Sequence, residues 1–194
     1  MKKGLFFGIA AGAILIACKS LGSSIIRSND STKLKQVDRI VYFNPEVFPN
    51  YEGIKSPTNL AWYSAVSDEL KKYGNFKIMH IDEPMKYDSI DRELVKELCI
   101  NNRAEVAVIP KVKYFKVGIG KYVFSNQVII SMKLYNNEGD LLVENSYDTY
   151  KGSGRLLGSA ENSVKIGTSN VIKNMISELR NKNTNISVPK EWFL

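Results

Sequence analysis

Histidine, cysteine and long apolar runs are all scarce in this sequence, and each scarcity excludes a class of protein. The 194 residues include one histidine, His80, and two cysteines, Cys18 and Cys99. A zinc site needs three or four protein ligands. A nucleophilic serine needs a base beside it, and no G-x-S-x-G turn occurs. We therefore expect no metal, no cofactor and no enzymatic activity, and we interpret His80 as an ordinary strand residue.

Phosphate-binding loops are missing as well. Residues 152–162, GSGRLLGSAEN, have Gly158 one place later than G-x-G-x-x-G requires, and no Lys-Ser or Lys-Thr end follows. We interpret the segment as a capped helix entry; the alternative is an anion held by the charge of Arg155. One acidic cluster is interpreted as a solvated turn and a helix cap and not as a general-acid pair: Asp82, Glu83, Asp88 and Asp91.

The longest uncharged run lies at the beginning. Lys2 and Lys3 are followed by 14 residues without charge, which end at Leu15-Ile16-Ala17, and Cys18 follows. A membrane-spanning helix needs about 20 apolar residues. A cationic start followed by about 7–15 apolar residues is typical of a secretory signal peptide. We therefore expect residues 1–17 to be a signal peptide.

The end of this run resembles the lipobox of bacterial lipoproteins. The resemblance implies cleavage between Ala17 and Cys18 and lipidation of the Cys18 thiol, where two or three acyl chains would give lasting anchorage to a membrane. Asp, which favours inner-membrane retention, does not follow the cysteine, so the resemblance implies an outer-membrane lipoprotein facing the periplasm. The alternatives are an ordinary signal peptide or an amphipathic helix with a chance cysteine. Cys99, left without a disulfide partner, is interpreted as a buried core residue.

The charge balance is moderately basic. The formal charge is +7, and loss of Lys2 and Lys3 with the signal peptide leaves +5. One basic and aromatic stretch could face lipid headgroups, glycan or an acidic protein partner, although a plain solvated face is the alternative. Its members are Lys111, Lys113, Phe115, Lys116 and Lys121. An exported protein is not expected to meet nucleic acid.

Hydrophobic periodicity predicts one domain of the α/β (α+β) class over residues 38–182, preceded by a lipidated tether, 18–37, and followed by a tail, 183–194. The elements follow in the order β-α-β-α-β-β-β-α, which gives a mixed five-stranded sheet with helices covering its apolar face. The first helix is expected to begin at Ser56 and Pro57, and the second at Asp88. The clearest strand, 122–136, is expected to pack against the final helix, about 160–182, through Val128, Ile130 and Met132 on the strand and Val171, Met175 and Leu179 on the helix.

Two stretches of this domain resemble a bacterial envelope family. LVKELCINNRAEVAVIPKV and VIISMKLYNNEGDLLVENS are similar to TolB amino-terminal-like and CsgG-like lipoproteins, including penicillin-binding-protein activators of the LpoB type. Glu105 and Pro110 depart from the family pattern, in which Asp and Gly are usual. The resemblance implies a periplasmic binding, scaffold or activator module with an envelope protein partner.

Two alternatives to this interpretation stay open. One is a subunit of a homo-oligomeric secretion or assembly apparatus, as in CsgG-like proteins, in which residues 104–136 could form a membrane hairpin instead of a meander within the domain. The other is an envelope hydrolase with an unrecognised site.

Overall fold

A computed structural model of the protein describes residues 23–27, 37–116, 124–153 and 158–182. Its strands are β1 (Ser23–Arg27), β2 (Arg39–Asn44), β3 (Glu46–Phe48), β4 (Lys77–Pro84), β5 (Val106–Lys116), β6 (Phe124–Asn136) and β7 (Leu141–Asp148). Its helices are α1 (Glu52–Leu70), α2 (Arg92–Asn102), α3 (Thr149–Ser153) and α4 (Ala160–Lys182).

All described strands form one mixed sheet in the order β1-β7-β6-β5-β2-β4, with β3 paired to β5 off this path. Strand β2 is parallel to both β4 and β5, and β5, β6 and β7 form an antiparallel meander. The predicted α/β class and the order of its eight elements are confirmed. Strands β1 and β3 and the short helix α3 are additions that the sequence analysis did not contain.

The helices cover both faces of the sheet, whereas a single covered face was expected. Ile40 and Tyr42 belong to the core beneath α1 and α4, while Val41 and Phe43 belong to a second core beneath α2. The crossover from β2 to β4 and the crossover from β4 to β5 run in opposite directions across the sheet. Two connections of the same hand must then lie on opposite faces, which explains why α1 and α2 are separated.

The register of β6 agrees with the sequence pattern. Val128, Ile130 and Met132 are buried in the same core as Val171 and Met175 of α4, and Leu179 packs against that core. The residues between them, such as Ser131, point to the other face and are half-buried. Residues of β5 alternate between the two cores, with Val106 and Val108 in one and Ala107 and Ile109 in the other. Burial on both faces supports a meander within the domain over a membrane hairpin. Within the described residues, no helix is both long and apolar enough to cross a membrane.

Both predicted helix starts are wrong. Helix α1 begins at Glu52, after the extended residue Tyr51, so that Pro57 lies inside the helix. The N–H that Pro57 lacks would face the Gly53 carbonyl in a solvent-exposed turn, where the loss is tolerated. Helix α2 begins at Arg92, and Asp91 caps it by accepting the N–H of Leu94 at 3.1 Å.

One strand lies inside the segment interpreted as a tether. Ser23–Arg27 pairs antiparallel with β7, so that Ser23 lies opposite Tyr147 and Arg27 lies opposite Val143. Backbone hydrogen bonds to β7 form this strand, because the Ser-rich segment lacks the alternation of apolar and polar residues that would predict a strand. The domain boundaries at residues 38 and 182 stay predictions, and the C-terminal tail from residue 183 lies outside the described residues.

Candidate functional site

A cleft of about 940 Å³ lies where β2 and β4 end. The carboxyl ends of parallel strands are the usual position of a ligand site in an open α/β sheet. We call this end of the sheet, at which β2, β4 and β5 finish, the cleft end. The loop after β2 and the first turns of α1 form the other walls. Side chains with polar or aromatic groups that line the cleft include Asn44, Glu46, Phe48, Lys55, Asn59, Tyr63, His80, Asp82, Glu83 and Lys86.

His80 is held on three sides within this cleft. Its Nε2 donates to the Asn44 Oδ1 at 2.8 Å, and its Nδ1 lies 3.5 Å from the Asp82 Oδ1. The Tyr63 ring stacks on the imidazole with 4.9 Å between ring centroids. Asn44 is itself fixed, because it is buried and its amide donates to the Asp82 carbonyl. Strands β2 and β4 and helix α1 therefore all contribute to the position of one ring.

This geometry does not form a nucleophilic site. Both imidazole nitrogens face oxygen atoms, and no hydroxyl or thiol of the described residues is hydrogen-bonded to His80. Burial raises the pKa of the Cys99 thiol to about 11, and Cys99 belongs to the core on the opposite face of the sheet. Within the described ranges, no group of three His, Cys, Asp or Glu side chains could hold a metal ion. The cleft presents polar and aromatic side chains as possible contacts.

The rim of the cleft combines exposed apolar side chains with a buried oxygen atom that lacks a hydrogen-bond partner among the described residues. Leu60 is 71% exposed and Tyr63 is 40% exposed, which is unusual for large apolar side chains on a helix that packs against a sheet. The Oδ1 atom of Asn59 is buried and has no hydrogen-bond partner within the described residues. A buried polar atom is normally satisfied, so this oxygen is free to accept a hydrogen bond from a ligand or a water molecule.

The predicted basic and aromatic surface is only partly a free surface. Lys111 Nζ pairs with the Asp88 carboxylate at 2.6 Å and lies 4.9 Å from the centroid of the Phe48 ring. The hydrogen bond from Lys111 lowers the pKa of Asp88. Lys113 is exposed and Phe115 is half-buried on the same side of β5. The side chain of Lys116 and the whole of Lys121 lie outside the described residues.

Tyr87 links the β4–α2 loop to the sheet, and the sequence analysis missed it. Its backbone N–H donates to Glu46 at 3.0 Å, its hydroxyl donates to Glu144 at 2.8 Å, and its carbonyl accepts from Lys133 at 2.9 Å. Lys133 Nζ also lies 4.4 Å from the centroid of the Tyr87 ring. Burial, together with the bond to Glu144, raises the pKa of Tyr87. This network carries no periodic signal, because its members are far apart in sequence.

The four acidic residues of the predicted cluster have different contacts in the structure. Asp82 faces His80, Glu83 lines the cleft, Asp88 pairs with Lys111, and Asp91 caps α2. Asp82 and Glu83 lie in strand β4 and not in a turn, Asp88 lies in the turn that follows, and the cap of α2 is Asp91. Three sites predicted from sequence lie outside the described residues: the cleavage site Ala17–Cys18, the lipidated Cys18, and the anion-holding Arg155.

No protein-family model matches this chain, and no curated protein matches it. Solved structures show the fold. A single-residue variant of the PelC dodecamer from Paraburkholderia phytofirmans matches with a TM-score of 0.51 and 8% identity, over 77% of this chain and 95% of that chain. A second PelC dodecamer structure matches with a TM-score of 0.48 and 9% identity, over 81% and 96%. Lipoprotein GNA1162 from Neisseria meningitidis matches with a TM-score of 0.38 and 9% identity, over 72% and 99%.

Proposed function

We propose that this protein is a membrane-anchored lipoprotein of a bacterial cell envelope, located at the outer membrane and facing the periplasm, whose α/β domain acts by binding as a scaffold or activator module. The observation that carries the proposal is the sequence Leu15-Ile16-Ala17-Cys18 at the end of a cationic and apolar leader. A lipid attached at Cys18 would hold the domain at a membrane surface.

The geometry of the cleft supports binding over catalysis. His80 is engaged with Asn44 and Asp82, so its nitrogens are not presented to a nucleophile. The exposed Leu60 and Tyr63 and the unpartnered Asn59 oxygen are features of a contact surface. An envelope protein partner is the occupant that this proposal assigns to the cleft.

Fatty-acid labelling of intact bacterial cells tests the anchor. We expect a clickable palmitate analogue to label the wild-type chain and not Cys18→Ala, and the variant to leave the membrane fraction. Cys99→Ala is the matched control, because it removes the only other thiol from a buried position. Label on the Cys18→Ala protein, or loss of label from Cys99→Ala, would contradict the proposal.

A second candidate is a subunit of an oligomeric secretion or assembly apparatus. It is favoured by the fold shared with PelC, whose solved structures are dodecamers. Exposed apolar side chains could be covered in such an assembly: Leu60, Met79, Leu94 and Ile100. Native mass spectrometry of the acylated protein in detergent distinguishes the two candidates, because a stable oligomer gives a multiple of the chain mass and a monomeric module does not.

A further inference from the structure

Pairing of β1 with β7 shortens the connection between the lipid and the domain. Ser23, the first residue of β1, lies opposite Tyr147. Only four residues, 19–22, separate it from Cys18, and the five Cα-to-Cα steps between the two residues reach at most about 18 Å when fully extended. A lipid on Cys18 therefore holds the Ser23 end of the sheet near the membrane, whereas an unpaired tether to residue 37 would leave the domain free to turn.

The strand directions show which end of the domain this is. Strand β1 begins where β7 ends, and the antiparallel meander places that point beside the beginning of β6 and the end of β5. Strands β2 and β4 are parallel to β5 and finish at the same end. The Ser23 end is therefore the cleft end.

The opposite orientation conflicts with the length of the connection. From Tyr147 to Leu141, strand β7 extends about 20 Å at 3.4 Å per residue, and the turn at residues 137–140 continues beyond it. If that turn faced the membrane, Ser23 would have to lie farther from the surface than the roughly 18 Å that the connection from Cys18 provides. The turn would then enter the bilayer.

The cleft end also carries side chains suited to a lipid surface. Tyr150 and Lys151 are exposed on α3, directly after β7, and Asp148 accepts the N–H groups of both at 2.9 and 3.2 Å. Lys113 is exposed near the end of β5. Tyrosine is enriched at the interface between membrane and water, and lysine is attracted to anionic headgroups.

We infer that the cleft end of the domain faces the bilayer, that Tyr150 and Lys151 contact lipid headgroups, and that the cleft is placed close to the membrane surface. This inference rests on the lipid anchor of the proposed function. It adds an orientation that the anchor alone would not fix, because that orientation comes from β1.

Quenching of a fluorescent label by lipid tests the orientation in the full acylated protein. A single labelled cysteine is placed by Lys151→Cys at the cleft end or by Glu138→Cys in the opposite turn, each with Cys99→Ala. The proteins are reconstituted in phosphatidylethanolamine–phosphatidylglycerol vesicles that contain a nitroxide-headgroup lipid. We expect severalfold stronger quenching at position 151. Equal quenching, or stronger quenching at position 138, overturns the inference.

A second variant tests whether β1 sets the orientation. The N–H groups of successive residues in an edge strand alternate between donating to the neighbouring strand and pointing outward. One of the two residues Ile25 and Ile26 therefore donates to β7, and Ile25→Pro with Ile26→Pro removes that hydrogen bond whichever residue it is. We expect the quenching ratio between positions 151 and 138 to fall towards one, while the protein still floats with the vesicles. An unchanged ratio overturns the inference. Failure of the unsubstituted protein to float overturns the proposed anchor itself, which separates the two conclusions.

Discussion

At the scale of single residues, a close approach between a helix and the sheet depends on Gly167 of α4. A Cβ atom at this position would lie 2.5 Å from the Ile130 Cγ1 and 3.1 Å from the Thr149 Cγ2. Ile130 is fully buried, and its Cγ1 lies too close to the backbone to move away freely. The glycine therefore permits α4 to pack directly on β6.

Gly167→Ala tests this contact. In an exposed helix the change stabilises by about 1 kcal/mol, but overpacking a core costs about 1–3 kcal/mol, and we expect the overpacking to dominate. The urea midpoint should fall, and it should fall less in an Ile130→Ala background, where the clashing atom is absent. Gly158→Ala is the control, since no atom lies within 4 Å of its added Cβ. A rise in the midpoint for Gly167→Ala would contradict the packing.

The buried thiol of Cys99 gives stability a pH dependence with a definite sign. Burial, with a smaller effect of Glu105, raises the thiol pKa from 9.0 to about 11 in the folded chain. Below pH 9 the folded and unfolded chains both hold the proton. Between about pH 9 and 11 only the unfolded chain loses it, so stability falls as pH rises.

We expect Cys99→Ala to flatten this fall. The measurement is the urea midpoint of the wild type and the variant at about pH 8 and about pH 10.5, on either side of the unfolded pKa. The change in midpoint between the two pH values is compared between the wild type and the variant. This comparison cancels the contributions of other titrating groups, such as the tyrosines, which both chains share. If the wild type and Cys99→Ala lose the same stability between these pH values, folding does not raise the pKa of the Cys99 thiol.

At the scale of elements, the facing of β6 can be tested by two neighbouring substitutions. Ile130→Asp places an unpaired charge in a fully buried position, which costs several kcal/mol. Ser131 lies on the other face, where its Oγ is 2.9 Å from that of Ser146 and remains half-buried. We expect Ser131→Asp to shift the urea midpoint by well under half as much. Equal shifts would mean that the register is displaced by one residue.

Strand β6 was predictable because its own alternation decides its face. The same holds for α4, whose apolar residues recur at helical spacing. Helix α1 was predictable except for its beginning: the sequence Ser56-Pro57 is a favoured helix entry, but Tyr51 begins the helix through its backbone alone, its carbonyl accepting from Ile54 at 3.1 Å. The helix therefore begins five residues before Pro57, earlier than the local preference predicts.

Strands β1 and β3 were not predictable because they depend on partners. The three residues Glu46–Phe48 lie between two prolines and pair with β5 only because β5 extends beyond β2. In the candidate site, His80 and Asp82 stand out in the sequence, but their contacts with Asn44 and Tyr63 do not. The available signal was positional, since Asn44 and His80 both lie near the carboxyl ends of parallel strands.

At the scale of the whole molecule, the two cores share the same sheet and should unfold together. Strand β2 contributes Tyr42 to one core and Val41 to the other, and β5 divides its residues in the same way. No described element packs on one core without touching strands that also form the other. A chain of residues 38–194 is therefore expected to unfold in a single cooperative transition, and two separated transitions would contradict this shared architecture.

Strand β1 determines the expected difference in stability between a chain of residues 38–194 and a chain of residues 19–194. Strand β1 pairs with β7 at five positions, and each cross-strand pair contributes about 0.2–1 kcal/mol. Loss of β1 should therefore lower stability by about 1–5 kcal/mol without breaking cooperativity. The measurement is the urea midpoint of each chain, with unfolding monitored by circular dichroism. Residues 19–194 carrying Ile25→Pro with Ile26→Pro should match the shorter chain, because the segment is present but unpaired. If the two lengths have equal midpoints, β1 does not hold to β7 in solution, and the lipid would then be joined to the domain by a free tether.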